Sequence, residues 1–308
     1  MESIAAAAGR VLMVGVPGPE LDLDTAGRLR ALGPGGAILF RRNLESVAGA
    51  IALLGELQRL LPAPALHAID QEGGRVSRLE PWIGTTPSAD ALRRAGESAV
   101  AEFARATADA VRSLGFNVDF APVVDLCGPD APNGIAERSF GTDPAEVARL
   151  AGRMLDGLQS RGVAGCLKHF PGLGDTSLDS HLALPTVLRT RERLEAEDLV
   201  PYRQLAPRAA SVMIGHGYYP AWDREGELPA TCSSRIVRGL LREELGYRGL
   251  AISDDLEMGA ISPLDAGGAA AVRAIAAGCD LLLYCGDLER AEAARDALAS
   301  AAAADSAF

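Results

Sequence analysis

Eight short apolar runs, spread along the whole chain and separated by longer helical patterns, restrict the fold more than any other feature. They are RVLMVGV (10–16), GAILF (36–40), ALHAID (65–70), NVDFAPVVDL (117–126), VAGCLKHF (163–170), ASVMIGH (210–216), GLAISDD (249–255) and DLLLYCG (280–286). Each is strand-length and nearly uniformly apolar instead of alternating, the pattern of parallel strands covered on both faces. Helical stretches follow each run, directly or after a loop. LESVAGAIALLGELQRLL is amphipathic, Gly115 ends the helix of ESAVAEFARATADAVRSLG, and Asp143 with Pro144 opens the next as N-cap and first helical residue. Eight such units in 308 residues predict an α/β fold, a single (β/α)8 TIM-type barrel forming one domain over residues 1–308. The competing fold, a doubly wound open sheet, would bind nucleotide at a glycine-rich first turn. VGVPGPELD does not fit that GxGxxG pattern.

The net charge of −11 leaves no basic patch to neutralise phosphates, so nucleic acid is not an expected partner, and an anionic membrane surface is disfavoured. The five cysteines form no CxxC pair, which fits buried free thiols in a reducing compartment. MESIAAAAGRVLMVGV has no basic segment ahead of its alanines, and its apolar stretch is broken by Gly9 and Arg10. A cytoplasmic protein with no signal peptide and no membrane span is the expectation.

In a barrel of this kind the loops after the strands build the active site. Polar residues cluster at those ends: Asp70 on the third strand, Asp125 on the fourth, Lys168 and His169 on the fifth, His216 on the sixth, and Ser253, Asp254 and Asp255 on the seventh. Of the 30 basic side chains, Lys168 is the only lysine. A chain that otherwise uses arginine places its one compact ammonium beside a histidine at a strand end, either by chance or because the site needs it. KHFPGLGDTSLDSHLALP (168–185) then carries two histidines and further aspartates in a Gly/Pro-punctuated loop.

Serine acyl transfer lacks a GxSxG elbow. His169, His181, His216 and nearby aspartates are possible zinc ligands, but no HExxH or HxH spacing is present, so neither metal nor cofactor is expected. Glycoside chemistry remains: an anionic nucleophile, for which Asp254 is suitable, and a proton donor. In DSH, Asp179 and His181 are two apart and project to one side of an extended chain, where a carboxylate can hold the imidazole and leave one nitrogen to move a proton. The same spacing serves equally well as an Asp-stabilised turn, and spacing alone does not choose.

DQEGGRVSR (70–78), ERSFG (137–141), KHFPGLGDTSLDSHLALP and ISDDLEM (252–258) together resemble the family 3 glycoside hydrolases, and more narrowly bacterial β-N-acetylglucosaminidases (β-hexosaminidases) of the NagZ type. The resemblance implies a (β/α)8 barrel and a retaining double displacement through a covalent glycosyl-enzyme. It implies Asp254 as nucleophile, His181 as acid/base supported by Asp179, and a sugar held by Asp70, Arg78, Arg138, Lys168 and His169. Muropeptide fragments are the implied substrate, handled by a monomer. A β-glucosidase, a glycoside phosphorylase or a catalytically silent sugar binder on the same fold are the alternatives. Where the family usually has histidine, this chain has Leu173, which is expected to pack inward.

Overall fold

A computed structural model of the protein describes residues 3–128, 131, 133–176, 178, 180, 182–223 and 226–305. All eight expected strands are present: Leu12–Gly15, Gly36–Leu39, Leu66–Ile69, Val118–Asp119, Ala164–Phe170, Ser211–Ile214, Leu250–Asp255 and Leu281–Tyr284. Each pairs in parallel with its sequence neighbours, and the first pairs with both the second and the eighth, so the sheet closes. No edge is left open within this sheet.

The uniform hydrophobicity of the strands follows from their two buried faces. On the first strand Met13 points into the barrel while Leu12 and Val14 pack under the helices; Ile38 and Met213 alternate with their neighbours in the same way. The interior layer also takes Ala68, Val118, Phe120, Cys166, Ile252 and Leu281, so the barrel is a packed core and not a pore.

The fourth strand is shorter than its apolar run. Pro122 has no N–H to give to a ladder, and pairing beyond it survives only as a bridge between Val123 and Lys168. The helix Pro144–Gln159 begins as expected, with the Asp143 carboxylate accepting from the N–H groups of Ala145 (2.8 Å) and Glu146 (3.1 Å). Gly115 closes Glu97–Leu114 in a left-handed conformation. The helix after the sixth strand, Arg235–Glu244, is wound as a π-helix; at its end Leu245 N–H donates to the Leu240 carbonyl five residues back (2.9 Å). Apolar spacing over ten residues does not separate that winding from an α-helix. Elements that were not anticipated include an N-terminal helix, Ile4–Arg10, packed on the last helix, Leu288–Ala304, a hairpin, Gln71–Gly73 with Val76–Ser77, and two short helices that follow it, Glu80–Ile83 and Ala89–Ala95. Among the described residues, no helix is long and apolar enough to cross a membrane.

Candidate active site

The loops beyond the strand C-termini enclose a cavity of about 250 Å³. Six of the eight residues singled out from the sequence line it: Asp70, Arg78, Arg138, Lys168, His169 and Asp254. Asp179 and His181 lie outside the described residues. Ser180, between them, lines the cavity, and its carbonyl accepts from the Ala260 N–H (3.2 Å).

The hairpin after the third strand delivers one wall. Gln71 locks it: its N–H donates to Asp119 (2.9 Å), its amide NH₂ to Ser77 Oγ (2.9 Å), and its amide oxygen accepts from Leu79 N–H (3.1 Å). The turn needs Gly73 and Gly74, both at positive φ (100° and 54°); a Cβ on Gly73 would come within 2.5 Å of the Pro87 carbonyl. Arg78 reaches Asp70 (3.4 Å) and lies over the Phe40 ring.

The hairpin also carries Glu72, which the sequence reading passed over. Its carboxylate takes a two-pronged contact from Arg138 (both 2.8 Å) and one from Lys168 Nζ (2.5 Å), which also reaches Asp70 (2.9 Å). Lys168 is only 2% exposed. Burial works against charge here, but Arg138 and Lys168 outweigh it and hold the Glu72 carboxyl well below the usual range. Burial likewise opposes the Lys168 charge, and Asp70 and Glu72 outweigh it, raising the ammonium above its ordinary value. The available signal was period two: Asp70 and Glu72 are alternate residues, and alternate residues of an extended chain project together.

Lys168 and His169 are adjacent yet both line the cavity. The pairing register between the fifth and sixth strands shifts between Leu167 and Phe170, and such irregularities re-aim side chains. Buried Asp125 then fixes His169: one carboxylate oxygen contacts ring Nδ1 (2.7 Å) and accepts from the His169 N–H (3.2 Å), while the other accepts from Leu173 N–H (2.7 Å). Asp125 thus ties His169 to the loop that follows it. Leu173 packs inward as expected, 3% exposed, in a notch where a Cβ on Gly215 or Gly217 would approach within 2.8 Å of its methyls.

A second register shift sits on the seventh strand, where Ile252 pairs with Leu281 and Asp255 with Leu283. Both Asp254 and Asp255 consequently line the cavity, as does Met258. Their carboxylates differ in use. Asp254 accepts from the Asp255 N–H (2.8 Å), whereas Asp255 accepts from Glu257 N–H (3.1 Å) and Cys285 N–H (3.3 Å).

Burial first, with the Glu257 and Asp254 charges adding to it, pushes the Asp255 carboxyl up to about 6. A raised carboxyl favours folding below the unfolded value of about 4, and that contribution is lost as the pH rises through about 6. Asp255→Asn keeps the accepting oxygen and removes the charge. Thermal melts should place this variant above wild type at pH 7.5, with the gap closing by pH 4; equal melting at both pH values would contradict the assignment.

The profile described as "Glycosyl hydrolase family 3 N terminal domain" matches residues 9–306. A Beta-hexosaminidase of Idiomarina loihiensis is 34% identical over 281 residues, spanning 90% of this chain and 84% of that protein. One from Xylella fastidiosa (strain M23) is 36% identical over 301 residues, spanning 95% and 87%. Among solved structures, a glycoside hydrolase family 3 β-N-acetylglucosaminidase from Paenibacillus sp. str. FPU-7 superposes with a TM-score of 0.93 at 40% identity; the match covers 99% of this chain but only 59% of that longer one. NagZ from Neisseria gonorrhoeae, in complex with N-trifluoroacetyl-D-glucosamine, superposes with a TM-score of 0.84 at 33% identity, covering 93% of this chain and 84% of that one.

Proposed function

The chain belongs to glycoside hydrolase family 3, and from that premise we propose that it is a retaining exo-β-N-acetylglucosaminidase that removes β-linked N-acetylglucosamine through a covalent glycosyl–Asp254 intermediate. One observation carries the reading: Asp254 shares a single cavity with the Asp70–Lys168–Glu72–Arg138 ion cluster and with His169.

In this reading the cluster seats the terminal sugar. Asp70 accepts from hydroxyls; Arg78, Arg138 and Lys168 donate to the sugar, and His169 faces it beside them. Asp254 attacks the anomeric carbon while His181, its ring held by Asp179, protonates the departing glycosidic oxygen. A water then enters, gives its proton back to His181 and its oxygen to the anomeric carbon, and Asp254 leaves as carboxylate. A histidine acid avoids adding a further carboxylate beside Asp254 and Asp255, where like charge would work against ionisation.

The substrate is read as a muropeptide fragment, and Arg75, which also lines the cavity, supplies a further cation for an acidic neighbouring unit. All five cysteines are buried and free, which supports a reducing, cytoplasmic setting for a monomeric, single-domain enzyme. Aryl β-N-acetylglucosaminide and aryl β-glucoside assays, each with and without phosphate, test the reading. Turnover of the N-acetylglucosaminide without phosphate is expected. Preference for glucoside or a phosphate requirement would redirect it to a glucosidase or phosphorylase, and inactivity on every substrate to a silent binder.

A further inference from the structure

His216 lies two residues beyond the end of the sixth strand, fully buried and absent from the cavity lining. We infer that it is a positioning residue for Asp254, holding the backbone that aims the nucleophile through a Thr231–His216–Asp255 relay. This rests on Asp254 being the nucleophile.

Ring Nε2 lies 2.9 Å from the Asp255 carbonyl oxygen, and Nδ1 lies 2.8 Å from Thr231 Oγ1. A carbonyl oxygen only accepts, so Nε2 carries a proton and donates it. The peptide held in this way belongs to the residue whose N–H donates to the Asp254 carboxylate at 2.8 Å. One residue is therefore gripped at its carbonyl by His216 and grips the nucleophile with its N–H. The register shift between the seventh and eighth strands falls in this same stretch, where the ladder gives less support and a side chain supplies the restraint.

Thr231 completes the relay. In the neutral ring its hydroxyl donates to Nδ1. Its oxygen is also 3.2 Å from both the Ile214 and Gly215 carbonyls, so the hydroxyl has a second acceptor within reach if the ring is charged. Nε2 keeps its bond to Asp255 in either state. Thr231 and His216 are both buried without exposure, so no solvent competes for these bonds.

Three variants test this: His216→Phe removes the relay, His216→Gln restores a donor toward Asp255, and Thr231→Val removes the hydroxyl from a side chain of similar shape. Misaiming a reacting group costs on the order of 10²-fold in rate. The expected pattern is a loss in kcat/KM on aryl N-acetylglucosaminide of about 10²-fold for His216→Phe and about 10-fold for Thr231→Val. N-acetylglucosamine binding, read by calorimetry, should stay within about twofold, and His216→Gln should recover most of the lost rate. A merely structural role would lower binding along with rate and would not be rescued by glutamine; either result overturns the proposal. Should His216→Phe fail to fold, Thr231→Val decides: wild-type kcat/KM refutes the relay, and a rate loss with intact binding supports it. Asp254→Ala run in parallel separates the two readings. Near-wild-type activity there removes the premise, whereas an inactive Asp254→Ala beside fully active relay variants removes only the positioning role.

Discussion

Asp254→Ala should lower kcat/KM on aryl β-N-acetylglucosaminide by roughly 10⁴-fold while binding of N-acetylglucosamine changes by only a few-fold. The reason is the division of labour in the cavity. On the proposed reading the sugar is seated by the charge concentrated in Asp70, Glu72, Arg138 and Lys168, which pair with one another. Removing Asp254 therefore takes out an interaction made in the transition state and leaves ground-state contacts in place, which appears in kcat/KM. Asp255 is the rival nucleophile from the same strand, but its carboxylate is engaged by the Glu257 and Cys285 N–H groups. Azide, an exogenous nucleophile, should restore turnover in Asp254→Ala and yield the α-glycosyl azide, because it occupies the space of the missing carboxylate and inverts the centre once. An Asp254→Ala enzyme within tenfold of wild type, or rescued product of β configuration, would assign the nucleophile elsewhere.

The barrel was legible because burial on both faces forces uniform hydrophobicity, and eight such runs at regular spacing leave few alternative folds. Strand ends were legible because Lys168, His169 and Asp254 break apolar runs with groups a packed core has no use for. The roles of Asp179 and His181 came only from resemblance, and both lie outside the described residues. Partnerships were the illegible part. Arg138 meets Glu72 across 66 positions and His169 meets Asp125 across 44, and nothing local in either segment names the other. Asp125 and His216 could be placed at strand ends, but their work is done on backbone and on other side chains, which only the closed barrel brings together. Register shifts are similarly invisible, although they turn neighbours such as Asp254 and Asp255 to one cavity.

Glu72 offers the second large effect. Its side chain is 6% exposed and stands between Arg138 at 12% and Lys168 at 2%. Glu72→Gln preserves shape but removes the charge that two buried cations share, leaving Asp70 as the carboxylate bonded to Lys168 and Arg138 without its two-pronged partner. Breaking a buried pair on one side costs about 3–5 kcal/mol, because the remaining charge stays desolvated. For a chain of this size that amounts to a fall in Tm of roughly 5–8 °C at pH 7.5. The pH dependence identifies the cause. Glu72 is held well below the usual carboxylate range, so its contribution is present above the unfolded value of about 4.3 and is lost only as the pH falls through the lower folded value. The gap between wild type and Glu72→Gln should therefore persist from pH 7.5 down to about pH 4.5 and narrow below it. Affinity for N-acetylglucosamine should fall as well, since Lys168 and Arg138 lose the group that orients them. A variant melting within 1 °C of wild type at pH 7.5 would mean that the cations are hydrated and not paired, and the cluster would then lose its claim to be the rigid seat of the sugar.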